Sequence, residues 1–216
     1  MEIDGISGEG RMERKKRELR QKIIDIAMKL FDDQGFSNTT MEQIAEAADV
    51  ARKTLYNYFP VKEAIADEYV RAISNQMAEE ALAELQHLPD TRSRLLSALN
   101  NAYGWVEINP ELTGIVLGYR FKTSYYSTDK CPGLKNDLQE RGTYRIIAEI
   151  IRQGQEAGEI RSDIRLKLLV RYIDLLRGTI VWEWLQDTSL FDLREEISKM
   201  VNMVLDGIKS GEKHSK

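Results

Sequence analysis

The chain has 216 residues, 42% hydrophobic and 31% charged, a balance that suits one large or two small folded domains and excludes a disordered or fibrous protein. A single cysteine, Cys131, excludes an internal disulfide, and two histidines leave no credible zinc cluster, Cys-His pair or Ser-His-Asp set. The net charge of −4 is unevenly spread: Arg11–Lys62 holds eleven basic against eight acidic side chains, a net of +3, which leaves −7 for the rest. A basic end on an acidic body presents one face to polyanions and repels them elsewhere. No apolar run reaches the length of a membrane span, so a cytoplasmic protein is expected.

Residues 1–12, MEIDGISGEGRM, are polar and Gly-rich and are expected to lack structure. Arg14, Lys15, Lys16, Arg17 and Arg20 open the first predicted helix as a basic cluster. Ile23, Ile24, Ala27, Leu30 and Phe31 recur on it at helical spacing, and Gly35 stops it.

The stretch Thr39–Lys62, TTMEQIAEAADVARKTLYNYFPVK, reads as two short helices joined by a tight turn, with a third helix following. Thr40 and Gln43 have the spacing of a capping box, and Ile44, Ala45 and Ala48 share one face. Val50 is expected to plug the turn. The next helix, Arg52 to about Tyr58, turns Leu55 and Phe59 inward and leaves Arg52, Lys53, Thr54, Tyr56, Asn57 and Tyr58 outside. Two cations, a hydroxyl, an amide and two phenols suit phosphate oxygens and base edges better than a core. Lys62, in the first turn of the following helix, opposes the helix dipole, a placement that a bound phosphate explains.

A helix from about Val61 to His87 spans roughly 40 Å at ~1.5 Å per residue. Helices at Thr91–Ile108 and Glu111–Phe121 follow, then an irregular stretch, Lys122–Gly133, then a helix from Leu134 to Ala157. The predicted helices 164–186 and 192–208 form a hairpin whose apolar residues exceed one face. Either the whole hairpin is monomer core, or its spare face meets a copy in a twofold four-helix interface. No stretch shows sustained apolar/polar alternation, so the chain is all-α.

Thr40-Met41-Glu42-Gln43-Ile44-Ala45, then Ala48-x-Val50, then Thr54-Leu55-Tyr56-x-Tyr58-Phe59-x-x-Lys62-Glu63 resembles the helix-turn-helix of the TetR family of transcriptional regulators. Asp49 stands where that family usually has glycine, and Ala51 where it often has serine. Asp tolerates a left-handed backbone, so the turn is preserved; the missing hydroxyl removes one cap and phosphate contact. The resemblance implies an N-terminal three-helix DNA-binding domain at residues 17–77, with the helix-turn-helix at 40–59. It further implies a C-terminal helical ligand-binding and dimerisation domain at 78–216. The implied protein is a homodimeric repressor on palindromic operator DNA, released by a small-molecule effector, with no cofactor, no metal and no enzymatic activity. Thr40, Tyr58 and Lys62 are then expected on phosphates, Arg52, Lys53, Thr54 and Tyr56 nearer the bases, and Asn57 at the DNA with them. The alternatives are a helical protein-interaction module without DNA binding, which the basic N-terminal cluster disfavours, and a regulator that activates or lacks a ligand.

For the effector, the aromatic residues Tyr103, Trp105, Tyr119, Tyr125, Tyr126, Tyr144 and Trp182 make either plain core or pocket walls. Gly104, Gly114 and Gly118 withhold volume nearby, and Arg120 stands among the rings. A pocket of that kind suits a flat or apolar molecule bearing an anionic or carbonyl group.

Overall fold

The structure, a computed structural model, describes residues 10–126 and 141–208. Regular structure among them is α-helical, in the order α1 (Arg11–Gln34), α2 (Met41–Ala47), α3 (Arg52–Tyr58), α4 (Lys62–Leu85), α5 (Thr91–Ile108), α6 (Pro110–Tyr126), α7 (Gly142–Glu156), α8 (Leu166–Gln186) and α9 (Leu193–Ile208). Two compact units result, the first ending at Tyr69 and the second beginning at Val70, so the division falls within α4.

In the first unit Ile23, Ile24, Ala27, Met28 and Phe31 of α1 are buried with Ile44 and Ala45 of α2, Leu55 of α3 and Ile65 and Ala66 of α4. The side chains of Ala45 and Ala48 are almost wholly covered, and their size lets neighbouring helices approach closely. The capping box forms: Thr40 Oγ1 accepts from the Gln43 amide at 3.2 Å, and Gln43 Oε1 accepts from the Thr40 amide at 2.8 Å. Asp49 adopts φ 54°, the left-handed conformation that a tight turn needs. Val50 is half-buried rather than a fully buried plug, because the turn lies at the edge of this small core.

The second unit is centred on α5, which packs on α6, α7 and α9, while α8 packs on α6, α7 and α9. Tyr103, Leu95, Leu99, Ile147, Ile151, Leu169, Ile173 and Ile197 fill its core. At Gly142 a side chain is sterically barred, since a Cβ there stands 1.9 Å from the Ser74 carbonyl oxygen. That close approach lets Ser74 Oγ accept from the Thr143 amide at 3.2 Å, a cap for α7 that no side chain at its N-cap provides.

One helix end differs clearly from expectation. Helix α6 extends to Tyr126, five residues beyond Phe121, because Lys122–Tyr126 holds no Gly or Pro and Thr123 Oγ1 bonds back to the Tyr119 carbonyl at 2.9 Å. Residues 127–133 of the expected irregular stretch, the expected helix start at 134–140 and the polar N-terminal stretch 1–9 lie outside the described residues.

Candidate functional site

The first unit presents α3 as its outer face. Arg52, Lys53, Tyr56 and Asn57 are exposed, Thr54 and Tyr58 half-buried. The Arg52 side chain is 71% exposed, and its nearest carboxylate, Glu42, is 3.9 Å away, a loose pair that leaves the guanidinium mobile. Thr40 is exposed at the start of α2, where its oxygen caps the helix while its hydroxyl proton can still be donated outward.

Beneath this face the head is braced by cations. Arg20 Nε donates to Glu68 at 2.5 Å, and its guanidinium lies 4.4 Å from the centre of the Phe59 ring. So Arg20, one of the basic cluster that opens α1, is a structural residue that ties α1 to α4. Lys62 departs from expectation and is structural in the same way. Its ammonium donates to the Phe36 carbonyl at 2.6 Å and the Thr39 carbonyl at 2.9 Å, and sits 4.3 Å from the Phe36 ring centre. Those carbonyls lie near the two ends of the loop between α1 and α2, and their negative dipoles account for a cation at this helix start without a phosphate.

The second unit encloses a cavity of about 100 Å³. Its walls are apolar side chains such as Val70, Ile73, Met77, Val116, Leu117 and Val181, and its charged lining is Arg120, Arg141, Arg177 and Asp174. Tyr103, Trp105, Arg120 and Tyr144 line it as expected. Tyr119 and Trp182 do not. Trp182 follows Val181 by one residue, which turns it ~100° around α8 and away from the cavity, and it is 49% exposed. The side chains of Tyr125 and Tyr126, at the end of α6, lie outside the described residues. Gly104, Gly114 and Gly118 are not at the cavity either; Gly178 of α8 is the glycine in its wall.

Sequence reasoning did not place Arg141, Asp174 and Arg177 in the site. The available signal was on α8, where Asp174 and Arg177 interrupt a helix apolar around most of its circumference. They pair at 2.5 Å with both side chains more than four-fifths covered. Burial works against the Asp174 charge, but Arg177, assisted by Arg141 and Arg120, holds the carboxyl below its usual range. Burial likewise opposes the Arg177 charge, and Asp174 outweighs it and keeps the guanidinium protonated. Burial pushes the Tyr103 phenol up to about 12 against the opposing charge of Arg177. Tyr144 is also raised by burial, with Asp174 adding to it.

Helix α8 therefore has three stripes. Asp174, Arg177, Gly178 and Val181 face the cavity, and Leu169, Val170, Ile173 and Trp184 enter the core. Tyr172, Leu175, Leu176 and Trp182 are left exposed, along with Met203 on α9.

Residues 23–69, which span α2, α3 and their flanking helices, match the model of the bacterial regulatory proteins of the tetR family. The chain belongs to the TetR family. It is similar to the HTH-type transcriptional regulator TcmR of Streptomyces glaucescens, 29% identical with 94% of this chain and 88% of that one covered. It is 25% identical to the HTH-type transcriptional repressor KstR2 of Rhodococcus jostii, covering 88% and 91%. Among solved structures, Thermus thermophilus FadR, a TetR-family transcriptional repressor in complex with lauroyl-CoA, superposes with a TM-score of 0.73 at 26% identity, covering 91% of this chain and 98% of that one. As in the rest of the TetR family, the function is DNA-binding transcriptional regulation, with an N-terminal helix-turn-helix and a C-terminal ligand-binding domain. No described helix is long and apolar enough to cross a membrane.

Proposed function

We propose that this TetR-family protein is a cytoplasmic homodimeric repressor that leaves a palindromic operator when an amphipathic anion, of the acyl-CoA or fatty-acid class, enters the second unit. The observation that carries the effector class is the cavity lining, in which an apolar wall is joined by three guanidinium groups and one carboxylate. An apolar wall takes a hydrocarbon chain, and arginines in low dielectric take a carboxylate or phosphate oxygen. The bound lauroyl-CoA of Thermus thermophilus FadR supports this choice.

DNA reading belongs to the first unit. Arg52, Lys53, Thr54, Tyr56 and Asn57 approach the bases, Thr40 and Tyr58 the phosphates, and Lys62 holds the loop that presents Thr40. Dimerisation uses the exposed apolar stripe of α8 and Met203 of α9, since large apolar side chains repeated along one helix face are costly to leave in water. A switch requires the ligand to prefer one head spacing over another, and α4, which belongs to both units, is the covalent link through which that preference acts.

The test is fluorescence anisotropy of the full chain on a labelled fragment of its own promoter, titrated with dodecanoyl-CoA. Release at micromolar ligand is expected, with free CoA inert. Sequence-independent DNA binding, or a complex indifferent to acyl-CoAs and fatty acids of every chain length, contradicts the proposal.

A further inference from the structure

Two polar groups in the cavity wall have no work in the fold. Tyr103, on α5, is wholly buried, and its hydroxyl has no hydrogen-bond partner among the described residues. The Nε of Arg177, on α8, is buried and likewise without a partner, although another nitrogen of the same guanidinium binds Asp174 at 2.5 Å. Both residues line the cavity and stand next to one another: the guanidinium acts on the phenol by its charge and by side-chain proximity within hydrogen-bonding range, yet no aligned hydrogen bond reaches the hydroxyl or Nε. For packing alone phenylalanine serves as well as Tyr103, and a buried hydroxyl left unpaired carries a free-energy penalty.

The chemistry of the pair selects its partner. A guanidinium Nε can only donate, and a phenol donates readily, so one acceptor oxygen satisfies both, whereas an ammonium or amide N–H cannot satisfy Arg177. At about 100 Å³ the cavity is smaller than the roughly 300–1,000 Å³ of pockets that hold sizeable ligands, so its walls part on binding. Space exists beside Arg177, where a Cβ on Gly178 meets nothing within 4 Å.

We infer that Tyr103 and Arg177 form an oxygen-reading pair: the effector carries a carbonyl or carboxylate oxygen that both donate to, and the site selects for that oxygen as well as for the apolar chain. This rests on the cavity being the effector site. The unliganded protein holds two stranded donors, and the ligand relieves them as it enters. The oxygen has two possible sources, a thioester carbonyl or a free carboxylate, with one chemistry in common.

The experiment is calorimetric titration of the full chain and of Tyr103→Phe with three twelve-carbon probes: dodecanoyl-CoA, the S-dodecyl-CoA thioether that lacks the carbonyl, and dodecanoic acid. Wild type is expected to prefer the thioester over the thioether, or to bind the acid, by an increment of about tenfold that disappears in Tyr103→Phe. Loss confined to dodecanoyl-CoA names the thioester carbonyl as the source; loss confined to dodecanoic acid names the carboxylate. Equal affinities of wild type and Tyr103→Phe for every probe overturn the inference. If no probe binds wild type, the effector class proposed above fails, and the thermal midpoint of unliganded Tyr103→Phe decides separately. A midpoint equal to or above that of wild type upholds the stranded hydroxyl; a fall of several degrees shows that the hydroxyl bonds within the fold and overturns the inference.

Discussion

The Lys62 ammonium lies 4.3 Å from the centre of the Phe36 ring and donates to the carbonyl of that same residue at 2.6 Å. One cation thus pins a loop by its aromatic side chain and its backbone together, with Thr39 supplying a second carbonyl at 2.9 Å. Lys62→Met is predicted to destabilise the first unit by about 2 kcal/mol, from lost charge-assisted hydrogen bonds. It should weaken operator binding through loop disorder while leaving the salt dependence of binding unchanged. A fall in the salt slope by about one, measured by anisotropy across a salt series, would instead assign Lys62 to a phosphate.

Arg52 is the complementary case, an exposed guanidinium with only a loose partner in Glu42. Arg52→Ala is predicted to relax the choice of base at one operator position by about 1–3 kcal/mol and to leave the thermal midpoint unaltered. Selection from a randomised operator library reads this directly. Uniform loss over all sequences would move Arg52 from base edge to backbone.

The contrast between these two cations shows which features the sequence made legible. The capping box of Thr40 and Gln43 and the left-handed turn at Asp49 are local, settled by residues three or four apart, and both stand as expected. The carbonyl partners of Lys62 are 26 and 23 residues away, in a loop whose path no periodicity encodes. The same holds for α8. Its surplus of apolar residues was plain, but a helix apolar on two sides does not fix its own rotation, so Trp182 and Val181 could not be told apart until neighbouring helices set the phase. Cavity residues from five helices, such as Ser74, Tyr103, Val116, Tyr144 and Arg177, converge only through tertiary packing.

The exposed stripe of α8 yields a test of assembly. Leu175 is 56% exposed, so a charge there meets solvent in the monomer and an apolar partner in a dimer. Leu175→Glu is predicted to weaken self-association by at least tenfold with the far-UV spectrum and unfolding midpoint of the monomer retained. Val204 is less suitable, because it packs against the core and a glutamate there perturbs the fold itself. Sedimentation velocity at micromolar protein is the measurement, and an undiminished dimer in Leu175→Glu would place the interface elsewhere.

The Asp174–Arg177 pair makes stability depend on acid in a defined direction. The folded-state pKa of Asp174 lies below the ordinary aspartate range: burial opposes the charge, but Arg177, Arg141 and Arg120 overcome it. In the folded state the carboxylate is favoured, so the unfolded chain binds the proton more readily, and stability rises with pH across that interval. The contribution is fully present above the unfolded value and is lost as pH falls through the folded one, a window that begins near pH 4 and runs downward. Asp174→Asn removes the charge at every pH and leaves Arg177 buried without its counter-ion. It is predicted to cost about 3 kcal/mol at pH 7. Denaturant melts of the two proteins between pH 7 and pH 2.5 should converge as the wild-type carboxyl protonates, because protonated Asp174 and asparagine are then electrically alike. A constant gap over the whole range would mean that Asp174 contributes through packing or neutral hydrogen bonding, and that its charge does not hold Arg177 in the cavity wall.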